Sequence, residues 1–187
     1  KCKTSKIMNI YIACALTHVP GNFFKEYTNF IHEMAGELKT KHKVNYALIN
    51  SDPQLAAKPD ASKSRICYLW DRNMVEESDL VIAECSFPST GMGIELQIAE
   101  NKDIPVILCY RDYGINKSAP ISYVNPDHSS HDLQIGEGYV SHMVLGLPSI
   151  FEVICYGTNS DGINRICEAV SLIENACIMG PTIRFSR

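Results

Sequence analysis

The regular alternation of short apolar runs with helical segments most constrains how this chain folds. The run at 8–14 has the length and β-branched content of a strand, and a polar turn with Pro20 and Gly21 follows it. Residues 22–41 then place large apolar side chains at three- and four-residue steps, which is typical of one face of an amphipathic helix. The alternation continues along the chain and predicts a parallel sheet covered by helices on both faces.

The remaining elements complete this pattern. We predict further strands at 43–50, 79–85, 104–110 and 149–156, and further helices at 62–78, 91–101 and 158–176. Residues 111–148 are rich in Gly, Pro, Ser, His and Asp without a sustained period, and we interpret them as an irregular insertion. Residues 1–7 are interpreted as a leader and 177–187 as a C-terminal tail. The predicted fold class is therefore α/β, a doubly wound, mostly parallel five-stranded sheet in one domain at 8–176.

Composition narrows the function classes. The net charge of −4 over 187 residues disfavours a nucleic-acid polymer or an anionic membrane as the main partner, because both require a concentrated basic surface. None of the eight cysteines forms a CxxC pair, and most of them fall inside apolar runs. This pattern is typical of small buried side chains in a reducing compartment, and it disfavours a disulfide framework or a zinc cluster. The chain shows no signal peptide and no membrane-length apolar stretch. We therefore expect a cytoplasmic protein.

Two acidic residues interrupt apolar faces of the predicted helices. Asp71 lies among mostly apolar neighbours at helical spacing, and so does Glu95 in the helix at 91–101. A buried carboxylate costs several kcal/mol unless it is paired, so such positions are often functional. The alternative is purely structural, with Asp71 paired to Arg72, Arg65 or a lysine of the insertion, and Glu95 turned towards Lys102.

The loop before Glu95 has the features of a ligand-binding turn. Gly91 and Gly93 let the backbone approach a ligand closely. Ser89 or Thr90 can cap the following helix, whose free N–H groups favour an anion or a hydroxyl group. Because ligands of open parallel sheets bind beyond the carboxyl ends of the strands, we expect the site among the loops at 15–22, 51–61 and 86–93.

These residues together match the motif of a known family. The motif has four parts in a fixed order: the acid Asp71, the run at 78–84, the Pro-Ser-Thr-Gly-Met-Gly loop at 88–93, and Glu95. This arrangement resembles the nucleoside 2-deoxyribosyltransferase family, and most of all its 2'-deoxynucleoside 5'-phosphate N-hydrolase branch. The resemblance covers roughly residues 8–110. It implies a doubly wound α/β fold, no cofactor and a homodimer or higher homo-oligomer.

The resemblance also implies roles for individual residues. Glu95 is expected to attack the anomeric carbon and form a glycosyl ester, while Asp71 binds sugar hydroxyls and assists proton transfer to the base. Tyr11, in the first strand, is expected near the nucleophile, and Ser89 near the 5' end of the substrate. The remaining loop residues expected to bind substrate are Gly91, Met92 and Gly93.

One turn departs from the family pattern. The hydrolase branch usually offers an arginine in the phosphate-binding turn after the first strand, but residues 13–21 contain none. Thr17 and His18 are its obvious polar groups, and we include both as candidate substrate-binding residues. Whether a 5'-phosphate is required is left open. His128 and His131 have no third ligand at a recognisable spacing, so we assign no metal site.

The predicted function is hydrolysis of the N-glycosidic bond of a nucleoside or nucleoside 5'-monophosphate. Three alternatives remain at this point: a deoxyribosyltransferase that exchanges bases, an NAD-type glycohydrolase, and a non-catalytic nucleotide-sensing module. The base and the sugar are not determined by these residues. Glu84, at the end of a buried strand, is expected to bond backbone N–H groups of the loop at 86–91.

Overall fold

The computed structural model describes residues 6–179, with side chains through residue 176. The central strands are β1 (Asn9–Cys14), β2 (Lys43–Tyr46), β3 (Leu80–Glu84), β4 (Val106–Tyr110) and β7 (Ile150–Cys155). They form one sheet in the order β2-β1-β3-β4-β7, and each neighbouring pair is parallel. The predicted five-stranded α/β fold is confirmed. Residues 1–5 of the predicted leader and 180–187 of the predicted tail lie outside the described residues.

The helices cover both faces of this sheet. The four long ones are α1 (Gly21–Leu38), α4 (Asp60–Glu76), α5 (Thr90–Asn101) and α7 (Asn159–Met179), and the short ones are α2 (Ala47–Asn50), α3 (Asp52–Leu55) and α6 (His142–Leu145). Helices α1 and α7 pack on one face, and α4 and α5 on the other. Within residues 6–179, no helix combines the length and the hydropathy that a transmembrane span needs.

The alternation of side chains along β1 assigns each residue to one of two cores. Ile10 and Ile12 are buried against α1 and α7, whereas Tyr11 and Ala13 are buried against α4 and α5. Strand β1 also pairs with β2 on one side and β3 on the other, and the connections that follow β1 and β2 cross opposite faces. The point between β1 and β3 is therefore the switch point at which open α/β sheets bind ligands.

Several elements differ from the sequence prediction. Strand β2 ends at Tyr46 instead of continuing to residue 50, because the Tyr46 N–H donates to Asn50 Oδ1 (3.0 Å) and the next residues wind into α2. Helix α7 continues to Met179, beyond the predicted end at 176. The segment at 111–148 is not wholly irregular, since β5 (Ser122–Val124) and β6 (Ser130–Asp132) form an antiparallel pair within it and α6 follows.

Candidate active site

A tyrosine and a glutamate from distant parts of the chain meet beside the switch point. Tyr11, in the middle of β1, is almost fully buried, and its hydroxyl donates a 2.7 Å hydrogen bond to Glu95 Oε1. Glu95 lies in the second turn of α5, which crosses the same face of the sheet. The structure therefore brings together two of the three residues predicted to be catalytic.

The carboxyl group of Glu95 is enclosed, although the residue as a whole is half-buried. Burial is the main cause that raises its pKa to about 8, and the negative charge of Asp71 raises it further. The hydrogen bond from Tyr11 acts in the opposite direction, because a donor stabilises the carboxylate form. Burial, and then the charge of Glu95, raise the pKa of Tyr11 as well, so the hydroxyl stays protonated and remains a donor.

Asp71 is the second acid of the site. It is half-buried in α4, and the thiol of Cys67, one turn earlier, donates to its Oδ2 at 3.3 Å. Its Oδ1 is buried and has no hydrogen-bond partner among the described residues. Arg72, the structural partner considered above, pairs with Glu76 instead (2.8 Å). Asp71 thus has one oxygen free for a substrate hydroxyl, close enough to Glu95 to affect its ionisation.

The loop after β3 starts α5 with a side-chain cap. Ser89 is the N-cap residue, and its hydroxyl accepts a hydrogen bond from the Met92 N–H at 3.2 Å. Gly91 is exposed and Gly93 half-buried, and a methyl group added at Gly93 would meet no atom within 4 Å. Met92 is buried against Cys85, with 4.0 Å between the two sulfur atoms. Gly93 therefore borders open space, whereas a methyl group at Gly91 would lie 3.7 Å from the Ser89 hydroxyl, and Met92 anchors the first turn to the core.

Two predicted site residues lie apart from this cluster. Thr17 and His18 are exposed in the turn after β1, and neither pairs with Asp71 or Glu95 in the part of the chain that the structure describes. They lie at the correct edge of the sheet, because β1 ends immediately before this turn. Among the described residues, the structure therefore shows no bond that joins these two side chains to the two acids.

Sequence reasoning missed the partners of the acids. Cys67 is one of the mostly apolar neighbours of Asp71 in the sequence, and a separation of four residues in a helix places its thiol next to the carboxylate. Cys14, buried at the end of β1, has a raised pKa because of its burial and then because of the charges of Glu95 and Glu84. It is consequently a neutral thiol in an acidic environment and not a nucleophile.

Sequence comparison with known proteins gives one partial match. Over 63 residues the sequence is 33% identical to a protein of Syntrophotalea carbinolica named "Putative 2'-deoxynucleoside 5'-phosphate N-hydrolase 1". This stretch is 34% of the present chain and 44% of that relative, so the match spans less than half of the relative's length. No family model matches the chain. The partial match confirms the predicted resemblance to the N-hydrolase branch.

Comparison with solved structures gives two further matches. A conserved protein from Enterococcus faecalis V583 covers 87% of this chain and 99% of its own, with 18% sequence identity and a TM-score of 0.53. At this identity the likeness establishes the shared fold. A CMP N-glycosidase from Clostridium botulinum covers 84% and 98% of the two chains, with 14% identity and a TM-score of 0.49.

Proposed function

We propose that this protein is an N-glycosidase that hydrolyses a nucleoside or a nucleoside 5'-monophosphate through a covalent intermediate on Glu95. The observation that carries the proposal is the hydrogen bond from Tyr11 to Glu95 in an enclosed site that Asp71 completes. A purely structural glutamate has little need for a neighbouring carboxylate that disfavours its ionised form. The partial match to an N-hydrolase supports the same reaction class.

The reaction proceeds in two displacements. In the first, a Glu95 oxygen attacks the anomeric carbon, the C–N bond breaks, and its electron pair leaves with the base, which takes up one proton from solvent through Asp71. In the second, water attacks the same carbon and returns one proton to solvent through Asp71. The ester C–O bond breaks in this step, so the free sugar leaves and the Glu95 carboxylate is restored. Retention of configuration follows from the two inversions.

Each neighbour of Glu95 has a defined part in this scheme. The Tyr11 hydroxyl orients one carboxylate oxygen and leaves the other for attack. The unpartnered Oδ1 of Asp71 accepts a hydrogen bond from a sugar hydroxyl. Because this bond is charge-assisted, it compensates for the loss of the hydroxyl's hydrogen bonds to water. Positive charge that develops on the sugar in the transition state is stabilised by both carboxylates.

The first turn of α5 is proposed to hold the 5' end of the substrate. The Ser89 hydroxyl accepts the hydrogen bond of the Met92 N–H. The N–H groups that precede Met92 at the start of the helix favour a hydroxyl or a phosphate as acceptor. Thr17 and His18 are proposed to contact the same end of the substrate from the turn after β1. An arginine is absent from that turn, so the requirement for a phosphate is a question for experiment.

The resemblance also supports a homodimer, which we include in the proposal. Three large apolar side chains on α4 and α5 are exposed, at 47% for Tyr68, 39% for Leu69 and 47% for Ile94. A second copy of this chain would cover them beside the candidate site. Sedimentation equilibrium of the wild-type protein and of Ile94→Glu tests this arrangement, and a monomeric wild type would exclude it.

A panel of substrates tests the proposed reaction. Purified protein is incubated with ribo- and deoxyribonucleosides and their 5'-monophosphates, and free base is followed by chromatography, with Glu95→Ala as the control. We expect base release from at least one member and none from the variant. An added second base distinguishes transfer from hydrolysis, because only a transferase makes a new nucleoside efficiently. Nicotinamide release from NAD would instead indicate a glycohydrolase, and binding without any release a sensing module.

A further inference from the structure

A second buried carboxylate lies at the same edge of the sheet, outside the proposed reaction. Glu84 is the last residue of β3 and is fully buried, with Cys14 of β1 as its register partner. Tyr27 and Tyr156 enclose it on the face covered by α1 and α7. A charged or polar side chain in such a place is stable only when its oxygens are hydrogen-bonded.

Glu84 receives three donors on its two oxygens. The Ser86 N–H donates to Oε2 at 3.2 Å, while the Ser86 hydroxyl and the Tyr156 hydroxyl, the latter at 2.9 Å, both donate to Oε1. Two of these three bonds come from Ser86, the second residue of the loop that leads to Ser89. The carboxylate therefore determines the direction in which the chain leaves β3.

Ser86 also connects this loop to the beginning of the 111–148 segment. Its hydroxyl accepts from the Arg111 N–H at 2.8 Å, and its carbonyl accepts from Asn116 Nδ2 at 2.8 Å. Asn116 Nδ2 donates to the Arg111 carbonyl as well, and Asn116 Oδ1 accepts from the Tyr113 N–H. The turn at 111–116 is thus tied to the loop after β3 by two hydrogen bonds to Ser86, while the other two bonds of Asn116 hold the turn itself together.

The backbone of Glu84 joins a further loop to this arrangement. Its carbonyl oxygen accepts from the Tyr27 hydroxyl at 3.2 Å, and that hydroxyl accepts from the Ala15 N–H at 2.9 Å. The start of the turn after β1 is therefore held by the same residue. Through Ser86, Tyr27 and Tyr156, Glu84 contacts or holds the chain beyond the ends of β1, β3, β4 and β7.

We propose that Glu84 is a positioning residue that fixes the loop at 85–89 and couples this loop to the turn at 111–116. Because the loop ends at Ser89, Glu84 also fixes the start of α5, where the substrate binds. This inference rests on the proposed function, because it assigns substrate binding to that part of α5. Glu95 itself is held separately by Tyr11 from β1. Loss of Glu84 therefore weakens substrate binding more than it slows the chemical step.

Both oxygens of Glu84 accept hydrogen bonds in this arrangement. In Glu84→Gln the side chain has nearly the same shape, but one oxygen becomes an NH₂ group that can only donate. If the remaining oxygen keeps the two hydroxyl donors, the NH₂ group faces the Ser86 N–H, and two donors oppose each other. Ser86→Ala removes the hydroxyl bonds to Glu84 and Arg111 without changing the buried acid. Tyr156→Phe removes one donor to Glu84 and leaves both Ser86 bonds in place.

Hydrogen–deuterium exchange and steady-state kinetics together test the proposal. In Glu84→Gln and Ser86→Ala we expect faster exchange confined to 85–92 and 111–116, with central strands protected as in the wild type. KM should rise about three- to tenfold with kcat within about twofold, the effect of losing one or two hydrogen bonds used for binding. Tyr156→Phe serves as the matched control, with exchange of the loop unchanged.

Three outcomes decide the question. Unchanged exchange at 85–92 in both variants would overturn the positioning role. Faster exchange across the whole sheet, equal in Tyr156→Phe, would make Glu84 a general stabilising residue and also overturn it. If the wild type releases no base from any substrate, the proposed function fails, and the exchange measurement still determines whether Glu84 and Ser86 hold the two segments together.

Discussion

Replacement of Tyr11 by phenylalanine removes the one hydrogen bond that favours the ionised form of Glu95. The bond is short, 2.7 Å between the hydroxyl oxygen and Oε1, and its acceptor is charged in the reactive form. Such bonds contribute about 1.5–3 kcal/mol, and 1.36 kcal/mol corresponds to one pH unit in a titration. The substitution should therefore move the titration of Glu95 upward by about 1 to 2 pH units.

The sign of the pH effect follows from the mechanism. Only the carboxylate attacks the anomeric carbon, so kcat/KM of the wild type should rise with pH through the Glu95 pKa of about 8 and level off above it. At pH 7 most of the free enzyme carries protonated Glu95, and Tyr11→Phe lowers the reactive fraction by a further factor of about 10 to 100. Near pH 10 the loss in rate should be much smaller.

The assay is kcat/KM for base release between pH 5.5 and 10, together with carboxyl ¹³C NMR of glutamate-labelled protein. Glu95→Gln assigns the NMR signal. Tyr110→Phe is a matched control, because the Tyr110 hydroxyl donates to Glu137 at the same distance of 2.7 Å, away from Glu95. A wild-type midpoint near 4.5, or equal shifts in the two tyrosine variants, would refute the reasoning.

Three further predictions concern other acids and one thiol. Asp71→Asn should lower kcat about 100-fold or more, because proton transfer to the base is lost. In the same variant ¹³C NMR should show a lower pKa of Glu95, because a neighbouring negative charge is gone. An unchanged rate would make Asp71 a structural residue. Cys67→Ala should lower kcat/KM about three- to tenfold through loss of the bond that orients Asp71, and Cys67→Ser should restore it because a hydroxyl also donates. Burial raises the pKa of Glu84 from 4.5 to about 7, so the folded state favours the protonated form. The contribution of Glu84 to the free energy of unfolding is therefore complete below pH 4.5, and it falls by about 3 kcal/mol as the pH rises through 7. Urea unfolding at several pH values should show this loss in the wild type relative to Glu84→Gln, and a constant difference between the two would contradict it.

The fold could be predicted because its signals are local. Each strand of the five-stranded sheet and each long helix has its own apolar pattern, and the N-cap at Ser89 depends on residues only three positions apart. The end of β2 was missed because a side chain, Asn50, takes the N–H of Tyr46, and such competition leaves no periodic trace. The short pairing of β5 and β6 lies among exposed residues, so apolar alternation could not reveal it.

The site could be predicted only in part. Asp71 and Glu95 were visible as charges on apolar faces, but the bond between Tyr11 and Glu95 joins residues 84 positions apart. No spacing rule predicts that contact, and the expectation for Tyr11 came from the family resemblance. The thiol of Cys67 was missed because cysteine in an apolar pattern is usually a small hydrophobic residue.

The central claim is that Glu95 becomes covalently attached to the sugar. The most direct measurement is rapid acid quenching during turnover, followed by proteolysis and mass spectrometry of the peptide that contains Glu95. We expect the mass of this peptide to increase transiently by that of the sugar, or of the sugar phosphate, attached to Glu95. No such increase is expected in Glu95→Gln. Rapid base release with no adduct, and undiminished turnover in Glu95→Gln, would contradict it.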